Sequence, residues 1–271
     1  MQVAHPVLLD PSRATLLKAQ WARALKDVDK AAQACRRSLS EPRVHALRLA
    51  CRHALPILEV MRELCPDDPT WNLAHRMVKG LGNALGPLRD AQVRRIAVQN
   101  MKSRGRSVLL ERIRTEERSA RPSSQAALDL LGILPRVPLK RALRLRSPEA
   151  LDGLRDAIEC VQAHAQRRVR HAKSIARIDD KESLHAVRIA LKRYRYLLIA
   201  IAPCLSLERR AKLEPLRHLQ TTIGDRRDEE DLIDWLVQGG ANGKRLARAR
   251  RAHRLVQRRT VRNMLRRDWE L

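Results

Sequence analysis

The chain has 271 residues, 44% of them hydrophobic, and carries 56 Lys plus Arg against 30 Asp plus Glu, a net charge of +26. That apolar share is enough for a sizeable core, while the excess of cations repels itself in a compact fold unless a polyanion is the working partner. Nucleic acid, an anionic membrane surface and polyphosphate all answer the charge, but zero Phe, four Trp and two Tyr argue against single-strand modes that stack bases on rings.

Ala and Leu dominate the apolar set and β-branched runs are scarce, so the chain reads as all-α. Asp10-Pro11, Asp68-Pro69 and Ser147-Pro148 each place a capping side chain before a proline suited to the first helical position. Ser40-Glu41-Pro42 opens another helix, and Asp179 with Glu182 forms a capping box. Stops follow at Cys65-Pro66, Ala202-Pro203 and Gly239-Gly240. These signals predict helices over about 11–38, 41–64, 69–84, 87–100, 148–176 and 180–201. Three more are predicted over about 207–222 (interrupted at Pro215), 226–238 and 243–267. Pro56 should kink its helix. Residues 104–146, broken by Gly105, Pro122, Gly132, Pro135 and Pro138, read as one or two short helices and a connector.

One stretch occurs twice. His45-Ala46-Leu47-Arg48-Leu49-Ala50-Cys51-Arg52 returns 140 residues later as His185-Ala186-Val187-Arg188-Ile189-Ala190-Leu191-Lys192. A helix turns about 100° per residue, which puts His45, Arg48 and Arg52 on one stripe and Leu47, Cys51 and Leu58 opposite it. In the second copy His185, Arg188, Lys192 and Arg195 form the stripe, backed by Val187, Leu191, Tyr194 and Leu198. A second match lies downstream: Leu85-Gly86-Pro87-Leu88-Arg89-Asp90 and Ile223-Gly224-Asp225-Arg226-Arg227-Asp228 both read apolar-Gly-x-x-Arg-Asp. Their aspartates stand 45 and 43 residues after the respective histidines. Each glycine is read as a tight corner between helices, with Arg89 and Arg227 in the first turn of the next helix. Asp90, Asp228 and the acidic run 228–231 are read as helix-start capping and ion pairing. The whole chain then forms a single domain of two four-helix halves, about 10–103 and 147–271, joined by the 104–146 connector.

At its twin His-x-x-Arg motifs the chain resembles the CHAD family, the conserved histidine α-helical domain. Residues Leu184 to Tyr196 are similar to that family's LHxLRxxxKRLRY signature, with Val187 and Tyr194 where the family has Leu. Val44 to His53 resembles its VHxxRVxxRRxR signature, and the two Gly-x-x-Arg-Asp stretches are also like the family's. The resemblance implies two pseudo-symmetric four-helix bundles with a basic cavity between them, and non-catalytic binding of inorganic polyphosphate. On that basis the site comprises His45, Arg48, Arg52 and Arg89 with Arg76 and Lys79 in the first half. In the second it comprises His185, Arg188, Lys192, Arg193, Arg195 and Arg227. A further reading is an accessory protein that targets polyphosphate granules or their proteins.

Other chemistries find little support. The nine histidines are scattered, with no i, i+4 pair of metal-ligand type, and Walker loops, nucleophile elbows and Gly-rich phosphate cradles are absent. No catalytic residue, metal or cofactor is therefore expected. Five cysteines (Cys35, Cys51, Cys65, Cys160, Cys204), never in CxxC, read as buried free thiols of a reducing compartment. No leader or run of roughly 18 apolar residues is present, which points to the cytoplasm. The alternative partner is duplex nucleic acid, favoured by Arg248, Arg251, Arg254, Arg258, Arg259, Arg262, Arg266 and Arg267 at helical intervals.

Overall fold

The computed structural model describes residues 7–101, 105–131, 147–177, 179–239 and 261, and all regular structure among them is helical. In chain order come α1 (Pro11–Arg37), α2 (Glu41–Leu64), α3 (Pro69–Ala84), α4 (Gly86–Gln99) and α5 (Arg106–Leu131). They are followed by α6 (Pro148–Ser174), α7 (Lys181–Ala200), a 3-10 turn (Ala202–Cys204), α8 (Leu207–Ala211) and α9 (Leu213–Gln238). The chain is all-α. The helix expected over 243–267 lies, apart from the buried helical Val261, outside the described residues, and so does its whole arginine series.

Most helix starts follow the capping chemistry read from the sequence. Asp10 accepts from the Arg13 amide at 2.9 Å and Asp68 from the Thr70 amide at 2.9 Å. Ser147 Oγ accepts from the Ala150 amide at 3.3 Å. At α7 the cap is Asp180, not Asp179: its carboxylate accepts from the Glu182 amide at 3.1 Å because it directly precedes the first helical residue.

Two helix boundaries also differ from expectation, the first through tertiary packing and the second through the backbone chemistry of one residue. Residues 106–131 form one 26-residue helix through Pro122 instead of short pieces. Beyond the proline, the fully buried Ser124 hydroxyl lies 3.0 Å from the Ala120 carbonyl and 3.2 Å from the Ala84 carbonyl. Ala120 and Leu128, also buried, seat the same face, so tertiary packing outweighs the helix-breaking residue. Likewise α9 runs unbroken through Gly224, so that glycine is no corner and Arg227 is no first-turn residue. Pro215 sits in the first turn of α9, where a proline costs no helical hydrogen bond. The first copy does turn, at Leu85, and α4 begins at Gly86. The next residue explains the difference. Pro87 has no amide hydrogen to continue a helix, whereas its counterpart Asp225 retains one.

The chain forms two compact units: residues 1–89, 118–164 and 196–210 in the first, 90–117, 165–195 and 211–271 in the second. In the first, α1 packs on α2 and α2 on α3. Leu17, Trp21, Leu47, Ile57, Leu58, Met61, Trp71 and Leu81 fill it, each almost wholly buried. Trp21 Nε1 donates to the Ala200 carbonyl at 2.7 Å and the Gln20 amide donates to the Ile199 carbonyl at 2.7 Å, tying α1 to the end of α7.

In the second unit, Ala91 and Val98 of α4, Leu109 and Ile113 of α5, and Leu232, Ile233, Trp235 and Leu236 of α9 form a core cluster. The Arg94 and Arg112 guanidiniums lie 5.6 and 4.6 Å from the Trp235 ring centroid, and its Nε1 donates to Glu116 at 2.7 Å. Arg226 and Glu230 of α9 form a 3.1 Å ion pair with both side chains 5% exposed.

Trp21→Phe keeps an aromatic ring but removes the shorter of the two side-chain hydrogen bonds to the Ala200 carbonyl, leaving only the Gln20 amide at 3.3 Å. It should lower unfolding stability by about 1–2 kcal/mol with helicity unchanged, checked by urea unfolding followed by circular dichroism.

Candidate polyanion-binding ladders

Each motif helix faces two ways, as its spacing requires. On α2, Leu47, Cys51 and Leu58 are at most 2% exposed, and Ala54 is fully buried. His45 on the opposite side is exposed, with Arg48 and Arg52 half-buried. On α7, Val187, Leu191, Tyr194 and Leu198 are buried, while His185, Arg188, Lys192 and Arg195 are half-buried and Arg193 is exposed. Stems lie along the protein and charged heads reach outward, the arrangement long cationic side chains favour.

In the first unit Arg48 crosses to the end of α3, where its Nη1 donates to the Gly82 carbonyl at 2.9 Å. That carbonyl belongs to the last turn of α3, where helical acceptors lack partners and cations are favoured. The same guanidinium passes so close to Gly86 that a Cβ there would stand 3.4 Å from Nη1. Arg89, on the first turn of α4, is ion-paired with Glu41 at the start of α2. Partial burial, then the charges of Arg89, Arg52 and Arg48, hold His45 below its ordinary 6.5, with Glu41 opposing them.

The second unit repeats the main parts with different supports. A Cβ on Gly224 would stand 3.2 Å from Arg188 Nε, so the glycine's purpose is room for the motif arginine, not a bend. Arg188 Nη2 lies 3.6 Å from Asp228, and Arg227 Nε lies 3.2 Å from Asp231 one turn along α9. Arg195 Nε donates to Gln220 at 2.9 Å. Burial and then Arg227 and Arg188 depress the His185 pKa, Lys192 adds to them and Asp231 opposes. Burial pushes the Asp228 carboxyl up, Arg188 pulls it down, and Asp231, Asp225 and Asp90 push it up again.

Thus the structure brings together His45, Arg48, Arg52 and Arg89 in one unit, and His185, Arg188, Lys192 and Arg227 in the other. Arg76 and Lys79 stand exposed on α3, with no hydrogen bond or ion pair to either neighbouring helix among the described residues. The acidic run 228–231 is mid-helix, not a helix start: Glu229 and Glu230 are buried, while Asp228 and Asp231 serve ladder arginines. The role of Glu41 had no sequence signal beyond its charge, whereas Asp231 stands four residues after Arg227, a spacing that pairs opposite charges on one helix. Among the described residues no group of three or more metal-ligand side chains converges, and no helix is long and apolar enough to cross a membrane. Burial pushes the thiols of Cys35 and Cys204 up to about 11 and that of Cys51, on the back of the ladder, up to about 12. Cys65 is half-buried and Cys160 exposed.

A family model described as the CHAD domain matches residues 19–237. The fold is similar to the crystal structure of the CHAD domain from the plant Ricinus communis, with TM-score 0.62 and 20% identity over 99% of this chain and 96% of that one. No curated protein matches the sequence.

Both motif histidines should titrate below 6.5 in an NMR pH series. Removing a neighbouring cation favours the imidazolium and removing an anion disfavours it. Arg89→Gln should therefore raise the His45 pKa, and Asp231→Asn should lower that of His185 further.

Proposed function

The chain belongs to the CHAD family, and from that premise we propose that it binds inorganic polyphosphate, without catalysis, through the two His/Arg/Lys ladders. The observation that carries the reading is the duplicated construction: twice, a helix backed by buried apolar residues holds a histidine and a row of cations on its outer side. Polyphosphate is a flexible string of charges without bases, so a site for it needs cations in rows and no base readout. Arg provides most of the row, and its planar fork grips phosphate oxygens in pairs. Affinity then comes from phosphate contacts and counterion release. His45 and His185 donate hydrogen bonds to phosphate. Arg76, Lys79, Arg193 and Arg195 extend the rows. A cytoplasmic protein with this property would gather at polyphosphate granules with their resident proteins.

The deciding experiment is competition fluorescence with long-chain polyphosphate and duplex DNA. Polyphosphate should bind tightly and resist DNA at equal phosphate concentration; displacement by DNA would replace this reading with the nucleic-acid one. Exchanging Arg48, Arg52, Arg188 and Lys192 for Glu should abolish binding with helicity intact. Neutralising the same four should lower the slope of log K against log salt by about 3–4. Incubation with Mg²⁺ should release no phosphate.

The depressed histidine pKa values set the pH dependence. Free His45 and His185 are neutral at pH 7, and a bound polyanion raises their pKa, so binding takes up protons. Affinity should rise as pH falls below neutral and level off once the free histidines are charged. The double variant His45→Gln/His185→Gln should flatten that dependence in calorimetric titrations.

A further inference from the structure

We propose that Glu41, Asp228 and Asp231 are specificity-determining residues: each holds a ladder arginine and yields it only to a polyanion of high linear charge density. The inference rests on the ladders being the polyphosphate site. Arg89 is paired with Glu41, Arg188 with Asp228 at 3.6 Å and Arg227 with Asp231 at 3.2 Å. Maximal affinity for any polyanion would call for the reverse, since the chain has 56 cations and only 30 acids to place.

Asp228 has a repeat counterpart in Asp90, but simple inheritance of the repeat does not account for Glu41 and Asp231. Arg89 and Arg227 are counterparts, yet their carboxylates come from unrelated positions. The counterpart of Glu41 is Lys181, which is itself paired with Asp234, and the counterpart of Asp231 is Val93. The same arginine has thus acquired a carboxylate along two routes. Stability is a weak reason for the Arg227–Asp231 pair, because Asp231 is 53% exposed and exposed pairs contribute little.

The physical basis is a fixed penalty set against a variable gain. Any anion that takes the arginine must leave a carboxylate nearby and bear its repulsion. A phosphoanhydride chain packs successive charges closely enough to engage neighbouring rungs together, and the gain exceeds the penalty. One strand of a duplex spaces its phosphates more widely, engages fewer rungs and gains less against the same repulsion.

The test compares dissociation constants for long-chain polyphosphate and a duplex DNA oligomer in the wild type, in Asp228→Asn/Asp231→Asn and in Glu41→Gln. DNA affinity should rise by about tenfold while polyphosphate affinity changes by less than about threefold, so the preference narrows. Asp152→Asn, which removes the same charge beside Arg155, an arginine of neither ladder, should leave the preference unchanged. Parallel gains for both polymers, or an equal narrowing in Asp152→Asn, would overturn the proposal. If Glu41→Gln unfolds because its pair joins α2 to α4, the exposed second-unit variant decides alone. A wild type with no preference for polyphosphate would overturn the functional reading itself; a preference that the variants leave intact would overturn only this inference.

Discussion

Like charges held in a row repel, and the structure is arranged around that repulsion. A stripe such as Arg48–Arg52 or Arg188–Lys192–Arg195 weakens its own helix, because cations three and four residues apart face one another. Burial on the opposite face supplies the compensation. Each motif helix places a nearly continuous apolar strip against its unit, and a fully buried Leu or Val side chain contributes on the order of 1.5–3 kcal/mol. A few such residues outweigh the few tenths of a kcal/mol lost per repelling pair.

Repulsion also explains why the motif arginines are seated and not left waving. Arg48 is fixed by a carbonyl at the end of α3 and by the bare backbone at Gly86; Arg188 is fixed by Asp228 and the bare backbone at Gly224. Both arginines remain half-buried, so part of their desolvation and ordering is complete before any ligand arrives. Burial and then the field of these cations disfavour the imidazolium of both histidines, so near neutral pH each presents a neutral ring that can donate a hydrogen bond.

Periodicity made the ladders legible, because a 3.6-residue turn sorts residues 45, 48 and 52 from 47, 51 and 58 without any knowledge of partners. Helix starts at Pro11, Pro69 and Pro148 were legible for the same reason: capping is local chemistry. Much of what escaped was decided by contacts between distant segments, and one miss by a single neighbouring residue. Pro122 looks like a break until Ser124 is seen packed against Ala84. Gly224 looks like the corner that Gly86 borders, although Asp225 lacks the feature of Pro87 that stops a helix. The Glu41–Arg89 and Arg188–Asp228 pairs join different helices, so no spacing rule along the chain announces them.

The tight fit between Gly224 and Arg188 also constrains how the protein can change over generations. Alanine at 224 would suit a helix interior better than glycine by about 1 kcal/mol, yet its methyl group would stand 3.2 Å from a buried guanidinium nitrogen. Lysine at 188 would keep the charge and remove the planar head that fills the space. The open mutational route therefore runs through residue 188 first and residue 224 second. Each change is conservative by chemistry, but their order matters, so the pair drifts as a unit.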